Sequence, residues 1–371
     1  MKKRLVICCD GTWQELGSTY PTNVIKLARL VKYIADDTTP QLVLYLPGCG
    51  TEVNPIERLG GGAFGWGIDK IIQEAYRFLC INYSSETQDE IYLFGFSRGA
   101  YLARSLAGMI YNCGILQRSL ILEIPQAYEF YRNRNIKPRS KEARDFRKYK
   151  SQRINGSYFI PIKMLGCWDT VGALGIPEIV PWLPIADLWN QRYNFHDYEL
   201  SPIIENAFHA VAIDEKRKTF THTPMYKNDN KPDQVVEEVW FAGEHGCVGG
   251  GTEKHRGLSD FALEWMISKA KNLGLEFCPT EKEEDIEFQI LPDATIDFDN
   301  SVELLFRLGG VGWRDLVDKN RKISDDGIQV APKIHSSVIE RLKARKDYRP
   351  ENLKLFLNFA EFFSPKSLKQ Y

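Results

Sequence analysis

The stretch Ile91-Tyr92-Leu93-Phe94-Gly95-Phe96-Ser97-Arg98-Gly99-Ala100 decides how the rest of this chain is read. An apolar run of strand character enters Gly95-Phe96-Ser97-Arg98-Gly99, and a helical pattern rich in Ala and Leu leaves it toward Cys113. The pattern predicts a strand, a sharp turn and a helix. A serine hydroxyl is a poor nucleophile until it is raised out of the fold and set against a base. A strained turn does the raising, and glycines two residues to either side let strand and helix approach without side chains colliding. Ser97 is therefore the candidate nucleophile, and an ordinary strand-to-helix turn is the rival reading. A bare Gly-x-Ser-x-Gly is a weak signal, so the weight lies in the buried strand before it and the helix after it.

Upstream, 4–9 is a short buried strand closed by the turn Asp10-Gly11-Thr12-Trp13. Ligands of open α/β sheets bind at that carboxyl edge. The backbone N–H groups of Gly11 and Thr12, with that of Arg98, are the candidate oxyanion donors, and Asp10 is a candidate substrate contact. An Asp10 that bonds its own backbone in an Asx-turn is compatible with both. Asp-Gly-Thr also suggests a phosphatase whose nucleophile is the first aspartate of Asp-x-Asp-Gly-Thr. Cys8 stands at that position, which removes the nucleophile of that chemistry. The span 22–33 reads as a helix capped by Thr22, and 41–46 as a second strand. Gly60 to Gly67 lack the Lys-Ser/Thr of a phosphate-binding loop, which argues against a nucleotide.

Downstream, 126–153 is basic and aromatic and reads as a helical insertion. A solvated face explains such a run, and attraction to anionic head groups at a membrane surface is the functional alternative. The strand pattern resumes over 158–168 and ends in Asp169-Thr170-Val171-Gly172, which makes Asp169 the candidate triad acid against the plainer reading of a helix cap. Prolines 177, 181 and 184 break up the apolar span 174–200, where Trp182 and Leu183 are candidate acyl-chain contacts of a lid; a packed loop fits the same residues. The span 201–213 reads as a helix carrying His209, the competitor for the role of base, for which a hydrogen-bonded structural place on the helix is the favoured reading. After the strand 235–242 comes Gly243-Glu244-His245-Gly246-Cys247-Val248-Gly249-Gly250-Gly251, in which His245 is the candidate base. The order Ser97, Asp169, His245 is that of an α/β-hydrolase triad. His196, His222, His255 and His335 lack comparable context, and no histidine pair has metal-ligand spacing, so neither metal nor other cofactor is expected.

The fold class expected is α/β, a doubly wound and mostly parallel sheet. Over 371 residues it divides into a catalytic domain at 1–275, with insertions at about 114–157 and 174–200, and an extension at 276–371 packed on the core without a role in bond breaking. A net charge of −1 argues against a dedicated nucleic-acid binder. Eight scattered cysteines without a Cys-x-x-Cys pair read as reduced thiols of a cytoplasmic protein. The basic start and short apolar run to Cys9 fall short of a signal peptide, and no stretch approaches the ~20 apolar residues of a membrane span. Export, if it occurs, would use a route without a cleavable signal.

Several segments together resemble a bacterial α/β-hydrolase family that includes the phospholipase effectors of type VI secretion. They are Cys9-Asp10-Gly11-Thr12-Trp13, Thr22-Asn23-Val24, Pro47-Gly48-Cys49-Gly50-Thr51, Gly62-Ala63-Phe64-Gly65-Trp66-Gly67, Leu93 to Ala100, Trp168-Asp169-Thr170-Val171-Gly172 and Val239-Trp240-Phe241-Ala242-Gly243. The resemblance implies a Ser-Asp-His esterase of the phospholipase A type, its triad falling on Ser97, Asp169 and His245. One departure stands out: Gly246-Cys247 replaces the Ser-Asp that the family usually carries after the histidine. The expected substrate is a lipid ester. A hydrolase of small soluble esters and a non-catalytic scaffold with the same fold are the alternatives.

Overall fold

A computed structural model describes residues 1–11, 20–48, 62–172, 199–279, 286–298, 310–316, 328–329 and 332–356. Seven strands form one sheet in the order β2-β1-β3-β4-β5-β7-β9, every neighbouring pair parallel. They are β1 (Arg4–Cys9), β2 (Gln41–Leu46), β3 (Glu90–Phe96), β4 (Met164–Trp168), β5 (Asn206–Ala212), β7 (Val235–Phe241) and β9 (Lys333–Ile334). A separate antiparallel pair joins β6 (Tyr226–Lys227) to β8 (Ile328–Gln329).

The central strands are apolar on both faces because helices cover both, as parallel sheets require. Leu5, Ile7, Cys9, Ile91, Leu93, Leu165 and Cys167 point to one side, under α2 (Gly62–Asn82), α3 (Arg98–Cys113) and α4 (Ile124–Arg132). Val6, Cys8, Tyr92, Phe94, Met164 and Trp168 point to the other, under α1 (Asn23–Leu30) and α7 (Leu258–Asn272). This is the doubly wound α/β arrangement expected. The chain runs from β1 outward to β2, then returns to lay β3 on the other side of β1, so the topological switch lies between β1 and β3. Crevices at such a switch are where open α/β sheets bind ligands.

One element assignment differs from the sequence reading. The span around His209 is the buried strand β5, not a helix; Ala207-Phe208-His209-Ala210-Val211-Ala212 is a short apolar run whose period does not separate buried strand from buried helix. The basic span is helical as expected, resolving into α4 and α5 (Lys141–Lys150), but Arg147 within it is 2% exposed and donates to carbonyls of Tyr111, Asn112 and Pro138. The C-terminal extension adds β9 to the sheet edge and packs Leu316, Val338, Leu342, Tyr348 and Leu353 against Val211, Ile213, Trp240 and Leu258. Among the described residues the cysteines are free thiols, and no helix is long and apolar enough to cross a membrane.

Candidate active site

Parallel strands deliver their carboxyl ends to one edge of the sheet, so Asp10 after β1, Ser97 after β3, Asp169 after β4 and the loop after β7 collect there. Ser97 has φ +57, in the left-handed region that a residue with a Cβ enters only under constraint. The constraint is visible on either side. A Cβ on Gly95 would lie 2.3 Å from the carbonyl oxygen of Gly99, and one on Gly99 would lie 2.1 Å from that of Cys9. Glycine at both positions is a steric necessity of the turn. The Ser97 N–H donates to Trp168 O at 2.9 Å, tying the turn to the end of β4.

His245 opens a short helix, α6 (His245–Gly249). Its Nε2 lies 2.8 Å from Ser97 Oγ and its Nδ1 lies 2.5 Å from Asp169 Oδ2. This pattern fits the tautomer with the proton on Nδ1, which donates to the carboxylate and leaves Nε2 to accept from the hydroxyl. The ring is packed between Phe96, 4.7 Å away, and the edge-on ring of Phe220 at 5.0 Å. The helix carrying it is anchored at several points. Glu215 Oε2 accepts from the His245 N–H, Glu244 caps the N-terminus through the Gly246 N–H, and Asn23 Nδ2 donates to Val248 O and Ser259 O. All three constellation residues are buried, Ser97 at 3%, Asp169 at 0% and His245 at 7% exposure.

Asp169 has φ +40, and it accepts from the Ala212 N–H at 2.9 Å as well as from His245. A further partner comes from outside the span read as catalytic: Arg314 grips the carboxylate with both terminal nitrogens, Nη1 to Oδ1 at 2.6 Å and Nη2 to Oδ2 at 3.0 Å. Burial pushes the Asp169 carboxyl up, but Arg314 and His245 outweigh it and hold the group well below the usual carboxylate range. Sequence reasoning missed Arg314; Trp313-Arg314-Asp315-Leu316 has no motif, and only the fold brings it to β4.

The other expected site residues divide. Asp10 is 1% exposed and turned inward, accepting from Gly11 N–H at 2.7 Å, Thr22 Oγ1 at 2.8 Å and Tyr45 OH at 2.8 Å. It holds the turn rather than facing a substrate; burial raises its pKa to about 6. Gly11 faces Ser97, since a Cβ there would be 3.5 Å from Ser97 Cβ, but its N–H is spent on Asp10. Arg98 is the first residue of α3, directly after Ser97. Thr12, Trp182 and Leu183 lie outside the described residues.

His209 is buried on β5, its Nε2 accepting from the Thr170 N–H and its Nδ1 bonded to Glu238, which is a structural role. Gly246 and Cys247 also have packing roles. A Cβ at Gly246 would strike the His255 ring at 2.3 Å, and Cys247 is buried beside Trp240 and Leu258, its thiol pushed far up by burial. Glu244, Cys247 and His255 place possible ligand atoms within 4.8 Å of one another. The Glu244 carboxylate is already shared among Gly246 N–H, His255 Nε2 at 2.8 Å and Arg217 Nη2 at 3.0 Å, so ion pairing accounts for the group.

The fold and this edge define a doubly wound α/β protein with a Ser-His-Asp constellation at the switch of its sheet. Residues 3–269 match the family described as the catalytic domain of Tle1-like phospholipase effectors of the type VI secretion system, and the chain belongs to that family. An uncharacterized protein of Saccharomyces cerevisiae is 30% identical over 248 residues, 60% of this chain and 33% of the yeast protein. The chain thus spans about a third of that relative's length, and a bacterial origin does not follow from the family alone. Among solved structures, an uncharacterized protein from Pseudomonas aeruginosa aligns over 83% of this chain and 50% of its own, at 18% identity and a TM-score of 0.46. A Tle1 effector bound to the VgrG spike of the type VI system aligns over 79% and 77%, at 15% identity and a TM-score of 0.45.

Proposed function

We propose that this chain is a serine esterase of the phospholipase A type, working through Ser97, His245 and Asp169. The observation that carries the reading is the unbroken run of hydrogen bonds from Ser97 Oγ through the His245 ring to Asp169, set on a strained turn. In the reaction His245 Nε2 takes the Ser97 proton as Oγ attacks an ester carbonyl. The resulting imidazolium is stabilised by Asp169 and passes its proton to the leaving alcohol; water, activated by the same nitrogen, then releases the acyl group.

The developing oxyanion is assigned to the Arg98 N–H with that of Thr12, because Gly11 already serves Asp10. Family membership supports a lipid substrate, and in this reading Trp182 and Leu183 contact the acyl chain. No metal or nucleic acid enters the reaction, and contact with a membrane surface would be peripheral.

A fluorophosphonate probe should label the protein at Ser97. Ser97→Ala should lose labelling and at least about 10³-fold in hydrolysis of a phospholipid panel. Hydrolysis that survives in Ser97→Ala would reject the assignment. Activity that does not rise when substrate passes from monomers to vesicles would point to small soluble esters.

A further inference from the structure

We infer that Arg314 is a positioning residue of this site, completing it from a segment outside the 3–269 family match; the inference rests on the esterase reading above. A carboxylate in the fully buried position of Asp169 has two requirements if it is to serve His245: it must stay ionised, and its plane must be fixed. Arg314 meets both. Its fork spans both carboxylate oxygens, the geometry in which guanidinium recognition is strongest and most directional. Arg314 is itself 7% exposed and is fixed by donating to Ala212 O and Phe220 O. The same Phe220 packs its ring on His245, so one side chain fixes the acid and the loop that walls the base.

The fork also sets what the carboxylate has left to offer. Oδ1 receives Arg314 Nη1 and the Ala212 N–H, while Oδ2 receives Arg314 Nη2 and His245 Nδ1. Rotation of the carboxylate would break the pairing with Arg314, so Oδ2 stays aimed at the imidazole.

The Asp169–His245 pair depends on an ionised carboxylate, and the Arg314 cation gripping that carboxylate opposes its protonation. Other charged and titratable groups around the pair are Glu215, Arg217, His222, Glu238 and Glu244, with His209 behind His222. Arg217 and His222 act on the Asp169 carboxylate through their charge or dipole, whereas Arg314 and His245 are hydrogen-bonded to it. Removing the Arg314 charge therefore makes the Asp169 carboxylate easier to protonate, and the acidic limb of activity moves to higher pH.

The test compares Arg314→Gln and Arg314→Lys with the unaltered chain, using a short-chain fluorogenic ester and fluorophosphonate labelling from about pH 5 to 9. For Arg314→Gln the expected result is a kcat lower by about 10- to 100-fold, little change in KM, slower labelling of Ser97, and an acidic limb moved to higher pH. Arg314→Lys should restore the limb, because the charge returns, and recover only part of kcat, because the fork does not. If Arg314→Gln does not fold, the Arg314→Lys comparison decides alone: full kcat with a single ammonium rejects the positioning role. A folded Arg314→Gln with native kcat and an unmoved limb overturns the proposal. Were the unaltered protein to resist the probe altogether, the esterase reading would fail first; labelling at the native rate in Arg314→Gln would sink the Arg314 proposal alone.

Discussion

Asp10 illustrates what burial does to one side chain. Its three hydrogen-bond donors lower its pKa, yet removal from water wins and raises it to about 6 from 3.8. A group whose folded value lies above its unfolded value stabilises most below the unfolded value, and that contribution is lost as pH rises through the folded one. Asp10 therefore costs stability between about pH 4 and pH 6. Asp10→Asn should remove that slope, so that the variant gains on the native chain by on the order of 2–3 kcal/mol from pH 4 to pH 7 in urea titrations. A constant difference between the two proteins over that range would refute the account. Asp214 is raised to about 6 by burial in the same way, whereas His222 and His335 are lowered to about 4 by burial. Those histidines lose their contribution as pH falls, opposing the aspartates, which is why the single variant is more informative than the native profile.

Elements show where charge is structural and where it is free to act. The basic character of α5 was legible as a run of Lys and Arg, but the run does not say which members face inward. Arg147 does, donating to Tyr111 O, Asn112 O and Pro138 O, while Arg144 is exposed. Arg147→Ala should cost about 2–3 kcal/mol, since buried carbonyls lose their partner, and Arg144→Ala should stay within about 0.5 kcal/mol. Equal effects on the denaturation midpoint would contradict this division. The strand-turn-helix at Ser97 is the opposite case: Gly95 and Gly99 announced it because backbone atoms approach too closely for any Cβ. The strand β5 was not announced, because a run of six mostly apolar residues is too short to display a period.

For the whole molecule the question is how far the catalytic unit extends. Residues 276–371 read as an appendage, yet they supply β9 to the edge of β7, cover Trp240 and Leu258, and bring Arg314 to Asp169. A chain ending at residue 275 exposes that apolar surface and leaves a buried carboxylate without its cation. It should fail to give a soluble monomer with a cooperative melt. Recovery of a soluble 1–275 fragment with the native melting temperature would show the extension to be dispensable.

By itself the sequence determined the α/β class, the turn at Ser97, and the order in which Ser97, Asp169 and His245 follow one another. These depend on local matters: strand and helix character, glycine where backbones touch, and residues set at strand ends. Only the tertiary structure decided that β5 lies between the strands carrying Asp169 and His245, that Asp10 faces inward, and that Arg314 reaches across 145 positions to the acid. Pairings between distant residues depend on how strands are ordered in space, and nothing in the spacing of residues along a chain records that order.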